Sequence, residues 1–258
     1  MGMRKEWLAG LVAVVLSGAG TAQAQLRASI GLEAFSWKED TMPRVKETGS
    51  LLAAGLEYTR PADAGLLWAY RGRLYGGAVT YEGSTLFPPV QPVTGTTEYA
   101  GTVQEGQLRY RFGTGGQRRL DVVVGAGFDV WQRKLNARQT EDYVIGFARL
   151  GIETERDGRG WIAGAGVKIP FYTWEDAHLT SVGFDRNPVL KPGGQVSGYM
   201  HAGYRLDGPL SVIFYLDGFR FSRSPSEPVV HSTNGATSVF QPASTRVSAG
   251  VKVQFEFQ

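Results

Sequence analysis

"TRVSAGVKVQFEFQ", residues 245–258, decides the fold. Val247, Ala249, Val251, Val253, Phe255 and Phe257 share one parity; Arg246, Ser248, Gly250, Lys252, Gln254 and Glu256 share the other. Side chains of an extended chain alternate sides, so this stretch is a strand with one apolar and one polar face. Such a face either covers the core of a soluble sheet or meets lipid on the outside of a membrane barrel. The rest of the chain has to choose.

The first residues favour export. Arg4 and Lys5 precede an apolar run from Trp7 to Leu16, followed by the small-residue stretch "SGAGTAQAQ". Ala22-Gln23-Ala24 fits the small-x-small pattern of a signal-peptidase site, so residues 1–24 read as a signal peptide and Gln25 as the mature start. There is no cysteine, which removes disulfides, thiolate metal sites and cysteine nucleophiles. A net charge of +3 with no basic aromatic motif gives no case for nucleic acid. Beyond the signal no apolar run is long enough for a transmembrane helix.

The alternation recurs. Strands are predicted near 26–38, 50–60, 65–82, 98–112, 119–133, 142–155, 160–174, 195–206, 209–222 and 244–257. The links after the second, fourth, sixth and eighth are the tight, turn-rich "RPADAG", "GTGGQR", "RDGRG" and "DGP". The other five are longer. Outward parity includes Leu26, Ala28, Ile30, Leu32, Leu52, Leu56, Leu66, Leu74, Val122, Val124 and Phe128, and no charge falls on it across the central part of any strand. Beside the short turns that parity also carries Tyr58, Trp68, Tyr110, Phe112, Trp161, Tyr204 and Phe257, an aromatic girdle of the interfacial kind. At the long-loop end the match is poorer: Trp37, Tyr81, Trp131 and Trp174 fall inward unless bulges flip them, with Pro170 a place for one.

This pattern resembles the small outer-membrane β-barrels of Gram-negative bacteria, OmpA-like or omptin-like in architecture. The resemblance reaches no particular family. It implies an all-β, antiparallel, up-and-down transmembrane barrel of about ten strands over residues 25–258, with both termini periplasmic. Outer-membrane lipid, lipopolysaccharide and the barrel-insertion machinery are the partners it implies. Such barrels often end in an aromatic residue, whereas here Phe257 is penultimate and Gln258 last.

Ten strands leave little more interior than side chains can fill. The inward Glu33, Glu57, Arg71, Arg73, Glu105, Arg109, Asp129, Arg149, Lys168, His201, Asp217, Arg246 and Lys252 are therefore expected to interlock as a lumenal charge network. Inward glycines, Gly151 and Gly166 among them, leave space for long arginines and Tyr199, or else line a narrow water path or ligand cavity along the fifth to seventh strands.

Catalytic patterns are weak. Omptin proteases carry aspartates and a histidine at the outer rim, and no Asp-x-Asp or Asp-x-His pair here is read as matching theirs. In "EDAH", Asp176 stands two residues before His178. The His-x-Ser pairing of lipid A deacylases is missing at His201 and at His231-Ser232-Thr233. "GAGFDV" and "GAGVKI" lie within strands, so they are not nucleotide loops. Glu39, Asp40 and Glu47 fall in the first loop without metal-ligand spacing, and neither a metal nor a cofactor is expected.

Two loops remain, "STLFPPVQPVTG" and "SPSEPVVHSTNGATSVFQP". Leu86, Phe87, Val90, Val229, Val230, Val239 and Phe240 either pack loop on loop or form a contact patch for a protein or host surface. Asn234-Gly235 predicts a hairpin with a two-residue turn. The expected role is a non-enzymatic structural or surface-interaction barrel with a largely closed lumen. A narrow pore for small solutes comes second and a rim hydrolase third.

Overall fold

The computed structural model describes residues 25–60, 64–85, 89–112, 118–156 and 158–257. The expected signal peptide, 1–24, lies outside them, as do Leu86 and Phe87. In chain order the strands are β1 (Gln25–Glu39), β2 (Val45–Thr59), β3 (Gly65–Ser84), β4 (Pro92–Phe112), β5 (Arg118–Lys134), β6 (Thr140–Arg156) and β7 (Gly160–Asp176). A 3-10 turn (Leu179–Val182) and two short strands, β8 (Val189–Leu190) and β9 (Gly193–Gln195), lead to β10 (Ser197–Arg205) and β11 (Leu210–Ser222). The hairpin β12 (Glu227–His231) and β13 (Gly235–Val239) precede β14 (Ser244–Phe257).

Among the described residues, ten long strands form one antiparallel ring: β1 to β7 in order, then β10, β11 and β14. β14 closes it against β1, from Leu26↔Phe257 to Glu39↔Ser244. The C-terminal alternation is thus the closing stave. Closure leaves no open edge in the ring, which an alternating strand pattern needs if every backbone donor and acceptor is to be paired.

Inside and outside follow the parity. Ile30, Leu52, Leu66 and Phe214 are 67, 65, 70 and 63 % exposed on the outer wall, too much apolar surface for a sheet that faces water. Around the short-turn end the girdle residues cluster, with ring centroids 4.9 Å apart for Tyr58–Trp68, 5.0 Å for Tyr110–Phe112, 5.3 Å for Trp161–Tyr204 and 5.0 Å for Phe255–Phe257. Register sets them at one height: Leu26 pairs with both Tyr58 and Phe257, Leu66 with Tyr110, and Trp161 with Tyr204. At the other end outward charges appear, beginning at Lys38, Lys46, Glu82, Glu98, Lys134 and Arg220.

Three expectations change at the long-loop end. Strands continue past the apolar belt, so β2 starts at Val45 and β4 at Pro92, and Lys46 still pairs with Glu82. Hydrophobic alternation could not show this, because above the belt the outward positions are themselves polar. Glu39 and Glu47, read as loop residues, are consequently strand residues buried inside. Secondly, a bulge does follow Pro170. The register slips between Gly146 and Phe147, leaving Phe171 and Tyr172 both exposed, and Trp174 moves to the outward parity beside Val144. Trp37 and Trp131 are not flipped; at 0 and 1 % exposure they lie inside the barrel. Thirdly, the β12–β13 hairpin forms, but its turn is the three residues Ser232-Thr233-Asn234. A two-residue Asn-Gly turn needs positive φ at both positions, and only Gly235 has it, at 74°. His231 Nδ1 accepts the Thr233 and Asn234 amides at 3.2 Å each and holds the wider turn.

Candidate functional site

The interior is the most elaborated part of the molecule, and it divides into two halves. Nearest the short turns lies a layer of ions. Arg27 bridges Glu256 at 2.9 Å and Glu155 at 2.7 Å, and Arg205 joins the same two carboxylates. Arg111 holds Asp121 by a two-point contact, both bonds 2.8 Å. Arg27–Glu256 and Arg111–Asp121 are cross-strand neighbours in register, whereas Arg27 meets Glu155 because β1 and β6 face each other across a narrow tube that two long side chains can span.

Above this layer the network is redundant. Glu57 accepts Arg71 Nε at 2.9 Å, Arg109 Nη2 at 3.3 Å and Gln254 Nε2 at 3.1 Å. Glu153 takes two bonds of 2.8 Å from Arg71, with Arg109 at 3.3 Å and Arg149 at 3.8 Å. Arg149 also bridges Glu105 at 3.0 Å, and its guanidinium lies 3.5 Å over the Tyr199 ring. Arg73 meets Glu33 at 2.6 Å and Lys168 meets Asp217 at 2.7 Å. Desolvating so many charges is tolerable only because each acid has more than one donor or a near-ideal partner. The Tyr199 ring fits because Gly151 and Gly166 face each other beneath it, where a Cβ on either would collide with its hydroxyl.

The outer half is filled by rings. Trp37 of β1 reaches Tyr143 of β6, 5.7 Å between centroids, and lies 6.4 Å from both Trp131 and Phe221. Trp131 stacks on Tyr143 at 4.7 Å with a 7° interplanar angle, while Phe35 packs on Tyr99 at 4.6 Å. Charges enter this region in small, closed sets. Arg246 bridges Asp129 at 3.0 Å, lies 4.4 Å from the Trp131 ring centroid and 4.9 Å from that of Tyr75, and the Tyr75 hydroxyl donates to Asp129 at 2.7 Å. Arg133 holds Glu47 at 2.6 Å, Glu141 at 2.8 Å and Glu39 at 3.1 Å. The Trp37 indole donates to Glu39 at 2.9 Å and the Tyr143 hydroxyl to Glu141 at 2.9 Å. Sequence reasoning missed this hub. Its signal was present, in the inward aromatics that fitted no girdle and the acids assigned to a loop.

Within the ion half is a cavity of about 180 Å³, lined by Arg27 and Glu155 toward the short turns and by Val103 and Phe147 toward the rings, with Arg71, Arg149, His201 and Lys252 in its wall. Every member of the expected charge network faces the interior. Among the described residues, His201 and Lys252 alone in that set have no hydrogen bond or ion pair.

Over the mouth, Ala177, Leu179, Phe184, Leu190 and Val229 pack together, with Val182 and Val239 against them. The hairpin therefore folds onto the β7–β10 loop. Val229 is buried there, while Val90, Val230 and Phe240 are exposed, the Phe240 ring carrying Arg223 at 3.6 Å. On the rim, His178 Nε2 lies 2.8 Å from Asp142 Oδ2, and Asp176 Oδ1 accepts the His178 amide at 3.1 Å. This acid–histidine cluster, given no weight by the sequence pattern, stands on the outward parity of β6 and β7 and contacts Gln132 through Asp142 at 3.0 Å. The neighbouring Ser181 hydroxyl is turned to the His178 and Arg138 carbonyls. Among the described residues no group of histidines and carboxylates is arranged to hold a metal ion.

No family model matches the chain, and no curated protein matches it. Solved structures do. The outer membrane protease OmpT from Escherichia coli superposes with a TM-score of 0.52 over 94 % of this chain and 99 % of that one, at 9 % identity. The transport unit of the autotransporter AIDA-I from Escherichia coli gives 0.44 over 94 and 92 % at 10 % identity. An outer membrane channel from Pseudomonas putida F1 gives 0.39 over 93 and 97 % at 11 % identity. The likeness to the protease is one of fold: a closed ten-stranded antiparallel barrel.

Proposed function

We propose that this chain is an integral protein of the bacterial outer membrane with a closed lumen, acting through its loops as a structural or surface-interaction barrel. The observation that carries the reading is the set of rings spanning the tube from Trp37 to Tyr143 and Phe221. A conducting path needs continuous water, and rings reaching between facing walls support a barrier to it at that height. The apolar outer wall, bounded by an aromatic girdle, supports placement in a bilayer. The exposed Val90, Val230 and Phe240 are candidate contacts for a protein, host-surface or lipopolysaccharide partner.

Planar-bilayer recording tests the closed lumen: the wild-type barrel is expected to give no steady single-channel current, and robust current would replace this reading with the narrow pore. A hydrolase like the outer membrane protease is disfavoured. Among the described residues, the Ser181 hydroxyl beside the His178 cluster is bonded to the His178 and Arg138 carbonyls rather than to the His178 ring, which pairs with Asp142. Turnover of peptide or lipid A substrates that is abolished by His178→Ala would reverse that view.

A further inference from the structure

Lys252 and His201 stand apart from the rest of the interior. In register, Lys252 lies between Gly31 on β1 and Ile213 on β11, so neither neighbouring strand offers it a carboxylate. Seven lysine and arginine side chains and six carboxylates line the adjoining cavity, and among the described residues Lys252 is the one of those cations without a carboxylate partner. The nearby acids are already held: Glu57 by Arg71, Arg109 and Gln254, and Glu153 by Arg71, Arg109 and Arg149. Around Lys252 and His201 the wall has a local excess of positive charge with donors left over.

That excess borders the 180 Å³ cavity, whose lining includes both residues. A cavity of this size holds several waters, and its polar wall will not stay dry. Water alone does not neutralise a half-buried ammonium that has no carboxylate partner in an arginine-rich wall; an anion does, by charge-assisted hydrogen bonds. We propose that the cavity binds a small oxyanion of phosphate or sulfate size, with Lys252 and His201 as its principal donors. Phe147 and Val103 bound the site above and limit it to a compact head without a long apolar tail.

The test uses the mature chain refolded in detergent with the probe already present, so that entry is not limiting. Inorganic phosphate, sulfate and chloride are compared at equal ionic strength, and folded protein is followed by its heat-dependent gel mobility. Phosphate or sulfate at ten times its dissociation constant should raise the melting temperature by roughly 3–6 °C over chloride. Lys252→Met and His201→Gln should each lose that rise, whereas Lys46→Met, on the outer wall, should keep it. Phosphorus NMR of wild-type barrel refolded in phosphate and exchanged into chloride should show a retained resonance, a reading that stands even if Lys252→Met fails to assemble. Equal melting in all three salts with no retained resonance would overturn the proposal and leave a water-filled cavity. A rise that survives both interior substitutions would overturn it too, by placing the anion elsewhere. Current through the wild-type barrel would undo the closed lumen but not this site, since the assay reads binding.

Discussion

The two halves of the lumen solve one problem in opposite ways. Both lie inside the same ten-stranded tube, and both fill it with side chains reaching inward from facing walls. Near the short turns the filling is an ion lattice in which one arginine serves several acids and one acid several arginines. Near the long loops it is aromatic, and charges enter as closed pairs or hubs pressed against rings. Arg71 makes more contacts than Arg246: bonds to Glu57 and Glu153 against one carboxylate, Asp129. Yet Arg246 is the less replaceable, because redundancy rather than contact number decides what a deletion leaves behind. Without Arg71, Glu57 keeps Arg109 and Gln254. Without Arg246, Asp129 keeps one hydrogen bond from Tyr75, in a place ringed by Trp131 and Phe35.

The largest effects are therefore expected in the outer half. Arg246→Met should cost about 3–5 kcal/mol, the penalty for a buried ion left alone. Urea unfolding of the refolded barrel, followed by tryptophan fluorescence, measures it, and a loss below about 1 kcal/mol would mean that water reaches Asp129. Trp37→Ala removes a fully buried ring, for a similar cost of about 3–5 kcal/mol. It also breaks the span between opposite walls, so current absent from the wild type should appear in a bilayer recording. Silence together with an unchanged unfolding midpoint would show that Trp37 is not part of the seal.

Next comes the wall itself. Val124→Arg, on the exposed belt of β5, is expected to cost roughly 2–4 kcal/mol when the barrel is assembled in lipid. The same substitution should be far milder in a detergent that lets the guanidinium reach water. If lipid makes no difference, the belt does not face hydrocarbon.

Arg71→Met probes the lattice and should cost only about 1–2 kcal/mol, as its acids retain other donors. A loss equal to that of Arg246→Met would erase the contrast between the halves. The smallest effect belongs to the outer rim, where the Lys134–Glu98 pair spans 3.1 Å with side chains 44 and 62 % exposed. Lys134→Ala should shift stability by no more than about 0.5 kcal/mol, and less in high salt.

Much of the fold was legible because strand alternation is a local property. The parity of Ile30, Val124 and Val251 needs no knowledge of neighbours, and a polar interior with an apolar exterior follows once the strands close. The girdle at Tyr58, Trp68 and Trp161 was legible for the same reason. Strand ends at Val45 and Pro92 were not, since backbone pairing carries a ladder past the point where hydrophobicity stops marking it. The turn at Ser232–Asn234 was missed because Asn-Gly chemistry fits two turn lengths, and a contact from His231 selects the longer.

By itself, the sequence determined the alternation that makes the chain an antiparallel barrel and, across the apolar belt, which residues face inward. Only the tertiary structure decided which inward side chain meets which. Arg27 and Glu155 are 128 residues apart, and Arg246 and Asp129 117 apart. Partners across a tube are set by the stagger of all ten strands together, a quantity no single strand encodes. The same stagger placed Trp37, Trp131 and Tyr143 at one height on facing walls, turning aromatics that looked misplaced along their strands into one cluster inside the tube.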